Sequence, residues 1–126
     1  MLLRTSTRMF GPVAILDCEG RIVFGEETAL LHLQVKNVLA DSKSVVLNLA
    51  KVNYIDSSGV GEVVGLYASA QRVGAKIVLA GVSGRARDVL EIMKLTTIFE
   101  TYATAEEAAE SFNPQAGLTT AAEGLG

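Results

Sequence analysis

The strongest constraint on the fold is a change of hydrophobic period in the middle of the chain. Val45-Val46-Leu47-Asn48-Leu49 is a short apolar run of the buried-strand type, and Val60, Val63, Val64 and Tyr67 then recur at helical spacing. Between the two stands Asp56-Ser57-Ser58-Gly59. The first N–H groups of a helix have no intrahelical acceptor, so a capping oxygen or a phosphate is stabilised where the helix opens. Asp and Ser are preferred cap residues in any protein. The hydroxyl of Ser57 therefore either caps this helix or stands free at its mouth to take a phosphate, and the two uses are compatible if Asp56 or Ser58 is the cap. Ser57 is the candidate switch residue.

The rest of the chain repeats this alternation. Gly11-Pro12 punctuates two strand-like segments, residues 4–10 and 13–19, which read as an opening hairpin or a pair of edge strands. Residues 26–40 carry Leu31, Val35, Val38 and Leu39 on one stripe, with Glu26 and Glu27 in the first turn, where the helix dipole favours acids. A second helix is expected over residues 58–72, stopped by Gly74, and Lys76-Ile77-Val78-Leu79-Ala80-Gly81 is a further buried strand. Ser83 is placed to cap a third helix carrying Ala86, Val89, Leu90 and Met93, and residues 98–102 form a last short strand. Thr104-Ala105-Glu106-Glu107 matches a capping box that opens a fourth helix with Ala108 and Phe112 facing inward. Such an order implies crossovers in a mixed sheet, with ligands and switches gathered at the carboxyl ends of the strands. Ser57 and residues 83–87 belong to that rim.

Composition removes several classes of function. The chain has 126 residues, enough for one domain with its own core. Hydrophobic residues make up 49%, but charges break every apolar run before it reaches membrane-spanning length, and Met1-Leu2-Leu3 is too short for a signal peptide. A soluble, cytoplasmic protein without membrane insertion is expected. Eleven Lys and Arg against fourteen Asp and Glu leave a net charge of −3, with no basic excess for nucleic acid. Cys18 is the only cysteine and His32 the only histidine, so no disulfide, thiolate cluster or two-imidazole metal site can form, and no metal or cofactor is expected. A hydrolase with Ser57 as nucleophile lacks a Gly-x-Ser-x-Gly elbow, and its one imidazole is on another helix. No P-loop or dinucleotide fingerprint supports nucleotide binding.

The strand Val45 to Leu49, the motif Asp56-Ser57-Ser58-Gly59-Val60-Gly61 and the later Gly74-Ala75-Lys76-Ile77-Val78-Leu79-Ala80-Gly81-Val82 together resemble a STAS domain of the bacterial anti-sigma factor antagonist family. The likeness runs from about Val13 to Phe112. It implies an α/β fold with a mixed sheet of about four or five strands and about four helices packed mainly on one face. A domain over residues 1–112 is expected, followed by a disordered tail over 113–126 that is rich in Ala, Gly and Thr.

By that resemblance the chain is not an enzyme but the substrate of a partner anti-sigma factor that is itself a serine kinase, with a cognate phosphatase as a further partner. The phosphorylated serine of the family corresponds to Ser57. The unphosphorylated antagonist binds the anti-sigma factor and frees the sigma factor, and the phosphorylated form lets go. Asp56, Ser57, Ser58, Gly59, Gly61, Glu62, Gly65 and Arg85 are the candidate partner-binding residues. The resemblance also admits a STAS accessory subunit of a membrane transport complex, docked on an ATPase subunit without phosphorylation. One departure concerns Gly20-Arg21-Ile22-Val23, where Val23 stands in a place that is often acidic in the family, and Phe24-Gly25-Glu26-Glu27 beside it is atypical.

Glycine inside a helix costs about 1 kcal/mol relative to alanine. Gly59, Gly61 and Gly65 all fall in the second helix, so either a close approach to the sheet or a bare docking surface must offset that cost. Arg85 and Arg87 could meet a phosphate or an acidic partner, and more simply are solvated charges.

Overall fold

Right-handed crossovers that always advance in the same direction across a sheet place their helices on the same face, and this rule sets the architecture. In the computed structural model, which describes residues 2–112, β1 (Leu3–Phe10) and β2 (Val13–Ile22) form an antiparallel hairpin around Gly11-Pro12. β2, β3 (Ser44–Ile55), β4 (Lys76–Ala80) and β5 (Thr101–Tyr102) then run parallel, in the order β1-β2-β3-β4-β5. The crossovers are α1 (Glu26–Asp41), α2 (Ser57–Arg72) and α3 (Gly84–Ile92), and α4 (Ala105–Ser111) follows the last strand. The expected tail, residues 113–126, lies outside the described residues.

The main core lies between the sheet and the three crossover helices. Leu31 and Val35 of α1, Val60, Val63, Leu66 and Ala70 of α2, and Ala86 and Leu90 of α3 pack over Leu16, Val45, Leu47 and Leu79. The alternate residues of the same strands, Val13, Ile15, Val46, Val78 and Ala80, face the other way and are covered by Ala105, Ala108 and Ala109 of α4. Helices thus sit mainly on one face, as expected, with the alanine-rich α4 on the opposite one. Burial on both faces is why these strands read as continuous apolar runs rather than alternating ones. Thr104 caps α4 through its hydroxyl, which accepts from the Glu107 N–H at 3.1 Å.

Two elements differ from their sequence expectation. β3 extends to Ile55, through what reads as a spacer after Leu49. The β2–β3 ladder shifts register between Asp17 and Glu19 and again between Gly20 and Arg21, so β3 buries Leu49, Val52 and Ile55 at intervals of three rather than two. Conversely, the expected last strand over residues 98–102 shrinks to Thr101–Tyr102. Phe99 is instead buried and meets Tyr67 edge to face, with ring centroids 5.1 Å apart. Ser83 occupies the N-cap position of α3, but its side chain makes no capping hydrogen bond.

Gly59 marks the close approach of α2 to the sheet. A Cβ there would lie 2.3 Å from the Ile22 carbonyl oxygen and 2.8 Å from Ile55 Cγ1. Gly61 and Gly65 are exposed, with nothing within 4 Å of an added Cβ. The three helical glycines therefore have two different causes. Gly59→Ala is expected to lower unfolding stability by roughly 1–3 kcal/mol in denaturant titration, because the obstructing atom is backbone.

Beyond α4 the second face of the sheet is polar. Arg8 donates to Asp17 at 2.7 Å and to Glu106 at 3.3 Å, Arg4 meets Glu19 at 3.3 Å, and Asn48 donates to Asp17 at 2.7 Å. Burial pushes the Asp17 carboxyl upward, but hydrogen bonds from Arg8 and Asn48 and the charges of Arg8 and Lys51 outweigh it and hold it below its ordinary 3.8. A carboxylate depressed in the folded state contributes stability above its unfolded value and loses it as pH falls through the folded one. Urea midpoints measured from about pH 7 to about pH 3 are expected to decline at the acid end, and Asp17→Asn is expected to flatten that decline.

Candidate functional site

β2, β3 and β4 are mutually parallel, so their carboxyl ends share one rim, from which α1, α2 and α3 depart. At the centre of the rim β3 ends in Ile55, and Asp56 adopts an extended conformation (φ −98°, ψ 179°) as the N-cap of α2. Its Oδ1 accepts from the Gly59 N–H at 2.7 Å. Its Oδ2 accepts from the Phe24 N–H at 3.1 Å, and its own N–H donates to the Ile22 carbonyl at 3.2 Å. One aspartate thus closes the helix start and ties it to the β2–α1 loop.

Because Asp56 is the cap, Ser57 is released from that task. Ser57 opens α2, is exposed, and its hydroxyl has no hydrogen-bond partner among the described residues. Ser58 beside it is exposed as well. The N–H groups of Ser57 and Ser58 lie in the first turn, where no intrahelical acceptor exists. Local chemistry therefore leaves a free hydroxyl among free amide donors, with one carboxylate adjacent.

Along the outer side of α2, Gly61 and Gly65 are exposed and stand one turn apart, which leaves a strip of bare backbone. Glu62 is half-buried, and its carboxylate bonds His32 Nδ1 of α1 at 2.8 Å. His32 is exposed, and its partner is Glu62 rather than the Ser57 hydroxyl. Ser57 accordingly has no imidazole base. Of the eight candidate residues, Asp56 to Gly59 with Gly61, Glu62 and Gly65 come together on the start and outer face of α2. Gly59 is the exception within that group, since it faces the sheet and is buried. Arg85 lies in the first turn of α3, and its side chain is outside the described structure. The cavity beside the α3 start is lined by Ala50, Gly81, Ser83, Arg87, Thr101 and Tyr102 and includes no residue of the α2 start.

The sequence reading marked Phe24 only as part of an atypical segment and gave it no role. Its side chain is 79% exposed, although its backbone N–H is fixed by Asp56. The available signal was an aromatic residue in front of Gly25, in a loop, outside both the strand and helix periods. Cys18 is buried, and burial pushes its thiol up to about 12, so it behaves as a core residue. Among the described residues no acidic, histidine and cysteine cluster can hold a metal ion, and no helix is long and apolar enough to cross a membrane.

The architecture has close counterparts. An anti-sigma factor antagonist from Mycobacterium paratuberculosis superposes with a TM-score of 0.76 at 20% identity, covering 86% of this chain and 92% of that one. The Bacillus cell fate determinant SpoIIAA in its phosphorylated form superposes with a TM-score of 0.69 at 19% identity, over 87% of this chain and 100% of that one. A sulfate transporter family protein from Wolinella succinogenes gives 0.65 at 21% identity, over 79% and 84% of the two chains. These likenesses establish the fold. The sequence model of the STAS domain matches residues 5–108, and the chain therefore belongs to the STAS domain family.

Proposed function

We propose that this chain is an anti-sigma factor antagonist that works by docking and not by catalysis. Unphosphorylated, it binds an anti-sigma factor serine kinase and so releases a sigma factor. Phosphorylation of Ser57 by that kinase ends the association, and a cognate phosphatase restores it. The observation that carries this reading is the exposed, unpartnered Ser57 hydroxyl at the start of α2, left free because Asp56 supplies the cap. The docking surface is the α2 start with its outer strip: Asp56, Ser57, Ser58, Gly61, Glu62 and Gly65, joined by Arg85 from α3. Gly59 contributes by seating α2 on the sheet.

A phosphate on Ser57 adds about −1.5 to −2 charges beside the Asp56 carboxylate. A change of about 2.7 kcal/mol alters affinity a hundredfold, which charge repulsion and desolvation at a packed interface can supply without any change of fold. The second reading is docking on an ATPase subunit of a transport complex, and a sulfate transporter family protein shares the fold. It would make no use of a free hydroxyl at this position, so the exposure of Ser57 favours the sigma-regulating reading.

Two measurements with an anti-sigma factor serine kinase from the same organism test the reading. Ser57→Ala is expected to bind as tightly as the unaltered protein and to accept no phosphate by mass spectrometry after incubation with ATP, whereas Ser57→Asp is expected to bind about a hundredfold more weakly. Equal affinities for the two variants would count against it. Gly61→Ala and Gly65→Ala are expected to raise stability by up to about 1 kcal/mol each while weakening kinase binding. Unchanged binding would remove that strip from the interface.

A further inference from the structure

We infer that Phe24 is the apolar anchor of the docking surface, inserted into an apolar pocket of the partner, and that Asp56 is the positioning residue that holds it beside the switch. This rests on the reading of Ser57 as a phosphorylated docking residue and extends it to a residue from a different part of the chain.

Phe24 is, with Ile92, the most exposed of the large hydrophobic side chains in the described residues, at 79%. A phenylalanine left in water forfeits the stabilisation that burial of its ring would return. Interfaces draw their energy from a few such aromatic residues that are desolvated only on binding. What sets Phe24 apart is that its position is fixed. Its N–H is held at 3.1 Å by Asp56 Oδ2, and the Val23 carbonyl before it accepts from the Thr28 N–H at 3.2 Å in the first turn of α1. Gly25 after it has φ of +119°, a conformation that side-chain-bearing residues rarely adopt, so the loop turns sharply at the ring. A loop pinned on both sides loses little freedom on docking, so more of the contact energy appears as affinity.

The same tether links the ring to the switch. Asp56 precedes Ser57 directly, and its two oxygens serve the Gly59 N–H and the Phe24 N–H. A phosphate on Ser57 competes with this carboxylate for the free amides of the first turn and repels it, so the group that marks the switch also acts on the residue that holds the anchor.

The test compares variants by calorimetric titration against an anti-sigma factor serine kinase from the same organism, with thermal melting as control. Phe24→Ala is expected to bind at least about thirtyfold more weakly at unchanged melting temperature, and Phe24→Leu to keep part of the affinity. Asp56→Asn is the sharper variant, because its amide oxygen can still accept from Gly59 while its NH2 group cannot accept from Phe24. It is expected to weaken binding with little loss of stability, since Asn is as good a cap as Asp. Binding of Phe24→Ala within threefold of the unaltered protein would overturn the inference and leave the reading of Ser57 standing. Tight binding by Ser57→Asp together with weak binding by Phe24→Ala would overturn the reading and keep the anchor. No binding by the unaltered protein would overturn both.

Discussion

The carboxylate of Asp56 is the interaction on which the rest of the site depends. Its two oxygens accept from N–H groups that are distant in sequence, Gly59 at 2.7 Å and Phe24 at 3.1 Å. The first bond satisfies an orphan donor of α2, a contribution of roughly 0.5–2 kcal/mol. The second closes the β2–α1 loop over the same spot, and a main-chain bond from Asp56 to Ile22 adds a third tie. Because an aspartate carries both tasks, the serine after it has neither. A cap made by Ser57 itself would have tied up the hydroxyl that the proposed phosphorylation requires.

That division of labour needs a rigid platform, and the parallel sheet provides it. β2, β3 and β4 are buried under α1 to α3 on one face, and α4 covers Val13, Ile15, Val46, Val78 and Ala80 on the other. Gly59 brings α2 within 2.3 Å, measured from its would-be Cβ, of the Ile22 carbonyl at the end of β2. The rim is therefore a set of pinned chain ends, with exposed groups standing on it. For the proposed switch this arrangement is favourable, since a phosphate would have to alter only the surface and not the packing beneath it.

Much of this was legible in the sequence. The alternation of apolar runs and helical stripes gave the order of the elements, because doubly buried strands and one-sided helices leave distinct patterns. The junction at Asp56 to Gly59 placed Ser57 at a helix start for a local reason, the chemistry of caps. The length of β3 was not legible, since its register shifts against β2 break the period of two and leave Val52 and Ile55 outside any template. Nor could periodicity show that Phe99 turns inward onto Tyr67 instead of extending a strand, for that choice is made by packing. Glu62 was expected at the partner surface, but its bond to His32 depends on the facing of two helices that no single stretch of sequence encodes. Phe24 drew notice only as part of an atypical segment, for the opposite reason: an exposed aromatic obeys no period, and its tether to Asp56 is what marks it out.

The glycines of α2 show how stability and function separate in such a protein. Each interior helical glycine costs about 1 kcal/mol against alanine, and a domain is held together by only about 5–15 kcal/mol. At Gly59 the cost is offset by packing that no side chain would allow. At Gly61 and Gly65 nothing among the described residues offsets it, because both face open space there. A stability deficit without an internal compensation points to a compensation outside the chain, in a surface that must come close to bare backbone. The two positions lie on the same helix as Ser57, so the strip they clear runs toward the hydroxyl that the proposed switch would use.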